Sequence, residues 1–257
     1  MRKSQPGRVI VFGSLALAAC ASSSPEPGRA ASRPGAAVVV VEDSLAGKTA
    51  GQMVGGRFTA EGYSPGRGAA HILYRLPSTV REGFAEFEVK GMHSPKDVDV
   101  DNGFFAMYDG RGVDEPIGYF NAFKQNYFRW NVHYRTDKGA IKAVLSTAAP
   151  TPERASSDKA EFPEEKRDFS AEPTGEAVVF DPLRWYKVRV EWRERTFSVS
   201  LDGKVVWRVT GPHDYAPKDH RAWLGSAPGK QPDKYLSAFD SVVYRNFRLL
   251  AYTTGPS

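Results

Sequence analysis

Polar and apolar residues alternate with a two-residue repeat along most of the chain from Val38 onward, which is the period of a pleated strand with one face buried. His71–Leu76 puts Ile72, Tyr74 and Leu76 on one side. Phe84–Lys90 sets Ala85, Phe87 and Val89 against Glu86, Glu88 and Lys90. Tyr127–Arg135 sets Phe128, Trp130, Val132 and Tyr134 against Arg129, Asn131, His133 and Arg135. Similar segments are Val38–Val41, Gly55–Thr59 with Gly62 and Tyr63, Phe104–Tyr108, Ile117–Phe123, Ala140–Ser146, Trp185–Trp192, Thr196–Leu201, Lys204–Val209, Ala222–Gly225 and Ser241–Ala251. Asp202-Gly203 between two such runs signals a tight hairpin, because both central residues of that turn need a positive φ. No segment keeps a helical repeat beyond a turn or two. The pattern predicts an all-β, two-sheet antiparallel β-sandwich. Trp130, Trp185, Trp192 and Trp207 read as core residues.

Residues 1–37 lie outside that pattern. Arg2, Lys3 and Arg8 precede the apolar run Val9–Ala19, which is too short to span a bilayer and suits the core of an export signal. The run ends in Leu17-Ala18-Ala19-Cys20, which resembles the bacterial lipobox. That resemblance implies a leader at 1–19, cleavage before Cys20, diacylglycerol on its sulfur and acylation of the new N-terminus, with several acyl chains giving stable membrane anchoring. Ala21 follows the cysteine where an aspartate would suggest retention at the inner membrane, so the expected location is the outer membrane. Residues 20–37 then form the lipidated cysteine and a Pro/Ser-rich flexible tether, and 38–257 form the sandwich. Within it, 148–174 is rich in Pro, Ser, Glu and Lys and reads as a loop insert.

Composition narrows the chemistry. Cys20 is the only cysteine, so once lipidated it leaves no thiol for disulfides, metal thiolates or nucleophilic catalysis. Of 35 basic residues three sit in the leader, leaving 32 against 30 acidic ones, a mixed surface with no long basic stripe. Nucleic acid is therefore not expected as a partner.

Trp185-Tyr186-Lys187-Val188-Arg189-Val190-Glu191-Trp192, followed by Phe197-Ser198-Val199-Ser200-Leu201-Asp202-Gly203-Lys204, resembles the back-sheet signature of the concanavalin A-like lectin/glucanase superfamily. Phe239–Phe247 is similar to its last strand, and Gly56–Thr59, His71–Pro77 and Gly83–Val89 to its first strands. The resemblance covers most of Val38–Tyr252. It implies a concanavalin A-like jelly roll of the laminin G and polysaccharide-lyase kind. That fold hosts lectins, glycosidases, lyases and adhesion modules, so function has to come from the site.

A retaining glycosidase needs two carboxylates about 5 Å apart. The spacing that the glucanase branch uses on one strand is missing: Glu86 and Glu88 share a face without a third acid, and Asp97, Asp99 and Asp101 follow a turn. Glycoside hydrolysis is disfavoured. If the chain is an enzyme it is expected to be a polysaccharide (uronate) lyase acting by β-elimination. Tyr119–Asn126 is faintly similar to a Tyr-Phe-Lys motif of alginate lyases, which would put Arg129 and Asn131 on the uronate carboxylate and His133 or Tyr119 as base. Binding asks for less: aromatic rings under sugar C–H faces and planar polar groups on hydroxyls. The candidate contacts are Tyr108, Tyr119, Lys124, Gln125, Arg129, Asn131 and His133. The expected function is polysaccharide binding by a surface lipoprotein, with lyase activity and a structural envelope role with a protein partner as alternatives. No cofactor is required. Glu42, Asp43 and Asp240, where first and last strands would pair, are candidate ligands for a structural calcium.

Overall fold

The structure, a computed structural model, describes residues 36–66, 70–92, 101–110, 128–135, 139–147, 169–171, 174–213, 215, 217–225 and 241–253. The leader, Cys20, the tether up to residue 35 and the segment Ile117–Phe123 lie outside the described residues, and the last tether position, Ala37, opens the first strand. Among the described residues the chain forms strands and no helix. In chain order they are β1 (Ala37–Asp43), β2 (Gln52–Val54), β3 (Arg57–Thr59), β4 (Gly62–Ser64), β5 (His71–Leu76), β6 (Gly83–Lys90), β7 (Asp101–Asp109), β8 (Phe128–Arg135), β9 (Ala140–Thr147), β10 (Phe169–Ala171), β11 (Thr174–Ala177), β12 (Tyr186–Arg193), β13 (Thr196–Leu201), β14 (Lys204–Thr210), β15 (His220–Gly225) and β16 (Val243–Tyr252).

They build two antiparallel sheets. The first runs β14-β13-β12-β6-β16-β4-β3, with β1 also on β16; the second runs β10-β9-β8-β7-β15-β5-β2, with β11 also on β9. The chain switches sheets repeatedly (β4 to β5 to β6 to β7, and β14 to β15 to β16), as a jelly-roll sandwich requires. The expected fold class is the one observed. Alternation places Ala85, Phe87, Val89, Val188, Val190 and Trp192 of the first sheet against Phe105, Met107, Trp130, Val132, Ala222 and Leu224 of the second in one core. Aromatic rings span the gap: Trp130 meets Phe197 edge-on at 5.1 Å, and Tyr74 stacks on Phe247 at 4.5 Å and 11°.

β16 is the spine of the first sheet. It pairs with β6 along one edge; on the other it pairs with β4 at Tyr244 and then with β1 from Phe247 to Tyr252. The handover falls at a register shift where Asn246 has φ 54° and its N–H donates to the Ser44 carbonyl at 3.2 Å. Asn tolerates that left-handed conformation better than most residues. The Asp202-Gly203 hairpin forms as expected, with φ of 48° and 84° and Leu201 opposite Lys204.

Two expectations need correction. Trp185 is not in the core. Core-facing positions of β12 are Tyr186, Val188, Val190 and Trp192, so Trp185 has the opposite parity and lies outside, its ring under the Arg245 guanidinium at 3.8 Å and the Lys90 ammonium at 5.1 Å. The 148–174 insert is not a loop throughout, because Phe169–Ala171 and the strand beginning at Thr174 both pair with β9.

Asp43, at the end of β1, ties the sheets together. Its Oδ1 accepts from the Leu45 N–H at 3.0 Å; its Oδ2 accepts from Thr49 Oγ1 at 2.6 Å, the Ala50 N–H at 2.8 Å and the hydroxyl of Tyr74, on the other sheet, at 3.0 Å. Burial and the neighbouring carboxylate push the Tyr74 phenol well above its ordinary range, so it stays a donor. Removing this acceptor strands four donors, and Asp43→Ala is expected to cost about 3 kcal/mol in urea unfolding, against about 1 kcal/mol for Tyr74→Phe. A loss below about 1 kcal/mol for Asp43→Ala would contradict the tie.

Candidate functional site

Each sheet has an outward face, and the two differ in kind. On the first sheet that face is solvated and ion-paired. Glu86 meets Lys187 at 3.1 Å and Arg189 at 3.3 Å, Arg189 meets Glu191 at 3.1 Å, and Arg245 pairs with Glu88. The two strand acids that share a face in the sequence are thus held by cations.

The outward face of the second sheet carries aromatic and polar side chains that are buried. Trp223 is 1% exposed, Tyr108 0%, Asn131 3%, His133 5%, His71 4% and Arg221 6%. Parity sets the membership: Ile72, Tyr74, Phe105, Met107, Trp130 and Val132 point into the core, so their neighbours along each strand point out. Cross-strand register then arranges them in rows. One row reads Leu73, Trp223, Ala106, Asn131 across β5, β15, β7 and β8; the next reads Arg75, Arg221, Tyr108, Arg129. On β8 and β9, His133 stands opposite Lys142.

The rings cluster. Tyr108 and Trp223 lie 4.8 Å apart at 53°, and His71 and Trp223 5.2 Å apart at 51°. Arg221 is held as a fork by Asp219, with Nη2 to Oδ2 at 2.6 Å and Nε to Oδ2 at 3.0 Å. Gly110 on β7's extension leaves room for it, since a Cβ there would lie 2.1 Å from Arg221 Nε. Beside this face, where β1 of one sheet lies near β2 and β5 of the other, is a cleft of about 520 Å³ whose walls include Val41, Glu42, Gln52, Leu73 and Arg75. Arg75 is exposed and belongs to both the cleft and the outward face.

Of the residues expected to contact a glycan, Tyr108, Asn131 and His133 are brought to one face, and Arg129 joins them by register. The expectation that they form an open, wet surface is not what the structure has: the three described side chains are buried. Tyr119, Lys124 and Gln125 lie outside the described residues. Sequence reasoning passed over Trp223, His71, Arg221 and Arg75. The signal was present for β5, since assigning Ile72, Tyr74 and Leu76 inward already sends His71, Leu73 and Arg75 outward.

The calcium candidates take separate positions. Asp43 bonds the four donors described above, while Glu42 alternates to the other side of β1 and is exposed, its nearest cation being Arg248 at 3.6 Å. Asp240 lies outside the described residues. Among the described residues no group of three or more His, Cys, Asp or Glu stands together as a metal site.

No family model matches the chain, and no curated protein does. Solved structures resemble its outline. The Crh5 transglycosylase in complex with NAG is 12% identical with a TM-score of 0.48, over 87% of this chain and 88% of that one. A protein from a study of endo-acting O-glycanases that human gut bacteria express for mucin breakdown is 10% identical with a TM-score of 0.48, over 86% and 93%. The carbohydrate-binding module CBM66 from Bacillus subtilis is 12% identical with a TM-score of 0.40, over 81% and 94%. At these identities and scores the likeness says nothing about what this chain binds.

Two buried histidines make stability depend on pH. Burial pushes His71 down to about 4 and His220, which meets Tyr215 edge-on, down to about 3, from an ordinary 6.5. Both rings are neutral in the folded chain, whereas the unfolded chain takes up their protons as pH falls through 6.5. Their contribution is therefore whole above pH 6.5 and is lost on acidification towards 4 for His71 and 3 for His220. At about 1.4 kcal/mol per pH unit, the window corresponds to roughly 3 kcal/mol for His71 and to more for His220. Urea unfolding at pH 7 and pH 4.5 tests this: His71→Gln should narrow the gap between the two pH values, and an unchanged gap would contradict it.

Proposed function

We propose that this chain is a lipid-anchored surface protein whose β-sandwich binds extracellular polysaccharide on the outward face of the second sheet. The observation that carries the reading is the character of that face. An outward sheet face is ordinarily either polar and solvated or apolar and covered. This one is polar, aromatic and buried at once, with Trp223, Tyr108 and His71 in ring contact beside Asn131, His133 and Arg221. Burying such groups is costly unless they are satisfied, and packing alone would favour aliphatic residues there. Trp223, Tyr108 and His71 are buried, so they back the site and a glycan is met at its exposed edge. Arg75 and the neighbouring cleft are where such a face meets solvent.

The lipobox-like Leu17-Ala18-Ala19-Cys20 supports the anchor and, with Ala21 after it, an outer-membrane address. Cells fed labelled palmitate should label the parent chain and leave Cys20→Ala unlabelled; label on the variant would remove the anchor from the proposal.

Binding is tested by placing the full chain on a glycan array. At least one polysaccharide should be retained, and Arg75→Ala, at an exposed position where the face meets the cleft, should weaken it by about tenfold at unchanged thermal melting. Release of unsaturated sugar ends, abolished by His133→Ala, would replace binding by eliminative cleavage. No retained glycan, together with one envelope protein recovered by crosslinking, would replace it by a structural role.

A further inference from the structure

From the lining of the cleft beside β1, β2 and β5 we infer that the polysaccharide carries acetamido sugars and that the cleft seats the acetamido group. The inference rests on the polysaccharide reading above and names its substrate class. The cleft is a preformed site. One wall is β1 at Val40 and Val41; the other is β5 at Leu73, with Gln52 of β2 paired to it. The Asp43 carboxylate ties the walls together, accepting from the Ala50 N–H at 2.8 Å and from the Tyr74 hydroxyl at 3.0 Å. Gly51 lets the chain entering β2 lie close on β5, since a Cβ there would be 2.6 Å from Ile72 Cγ2 and 2.7 Å from the Leu73 carbonyl oxygen. Walls fixed in this way lose little freedom when a ligand arrives.

The apolar part of the lining is aliphatic. Val40 and Val41 are half-buried and pack against the core, and Leu73 is buried. Among the described lining residues the one ring is Tyr74, which is 3% exposed and has its hydroxyl tied to Asp43. The flat C–H face of a sugar ring packs best on an aromatic ring, so these walls do not serve it. Branched aliphatic side chains suit a methyl group instead. Gln52 is exposed at the same cleft, and its amide both donates and accepts. An acetamido group brings a methyl, an N–H and a carbonyl together in one plane, so it answers the aliphatic wall and the side-chain amide at once. A hydroxyl in its place lacks the methyl, and the methyl of a deoxy sugar lacks the polar pair. At about 520 Å³ the cleft has the size of an ordinary small-ligand site.

The test sets chito-oligosaccharides against cello-oligosaccharides of equal length, on the full chain, by titration calorimetry. The two share one backbone linkage and differ at a single ring carbon, acetamido against hydroxyl. The chito-oligosaccharide should bind at least about tenfold more tightly, and its N-formyl analogue, which keeps the amide and loses the methyl, should fall between the two. Gln52→Ala should weaken the chito-oligosaccharide by roughly fivefold. Gln52 is exposed, so the variant should fold, and an unchanged circular dichroism melt verifies it. Unchanged affinity in that variant would overturn the placement in this cleft. If the array retains a different acetamido glycan, loss of binding on its de-N-acetylation supports the assignment and unchanged binding overturns it. Equal or tighter binding of the cello-oligosaccharide, or retention only of glycans without acetamido groups, would overturn the assignment and leave the polysaccharide reading standing. Failure of both oligosaccharides and of every glycan on the array would overturn the reading itself.

Discussion

Ring contacts between the sheets hold this sandwich closed. Tyr74 of the second sheet stacks on Phe247 of the first; Phe87 and Phe105 meet across the gap at 6.4 Å; Trp130 sits edge-on to Phe197. Each such pair contributes about 0.5–1.5 kcal/mol beyond the area it buries. With Cys20 the only cysteine in the chain, no disulfide can take over this task. The rings also set the strand phase, because a slip of one residue would send every one of them to the wrong side. The outward positions, and hence the rows on the second sheet, follow from the inward ones.

Asp43 adds directionality to that packing. Ring contacts tolerate some sliding, whereas a carboxylate that accepts from Thr49, Ala50, Leu45 and Tyr74 admits one placement of the β1–β2 connection against β5. The connection leads into β2, whose Gln52 lies opposite Leu73, and so it also shapes the cleft that Arg75 borders. A residue read in the sequence as a calcium ligand thus works as a hydrogen-bond hub, because its lone pairs meet protein donors.

Strand positions were largely legible because the two-residue repeat is strong wherever one face packs and the other does not. His71–Leu76 and Thr196–Leu201 match β5 and β13 end to end. β2, β10 and β11 were missed; they are three or four residues long, too short to show a repeat. Trp185 was misassigned by following hydrophobicity over parity: it is seven residues from Trp192, so the two cannot share a face. The site was only half legible. Alternation says which side of a sheet a residue takes and nothing about what lies beyond that side. Asn131 and His133 therefore read as solvated when they are buried. The rows joining β5, β15, β7 and β8 could not be read at all, since β15 inserts between strands far from it in sequence.

That insertion is what gives the face its chemistry. β15 brings Arg221 and Trp223 between β5 and β7, where the Trp223 ring meets His71 on one side and Tyr108 on the other. Ala106 and Gly110 alternate with Tyr108 on the same side of β7, and these small residues leave space for Trp223 and Arg221 to lie over the neighbouring strand. Bulk on β15 and smallness on β7 are complementary.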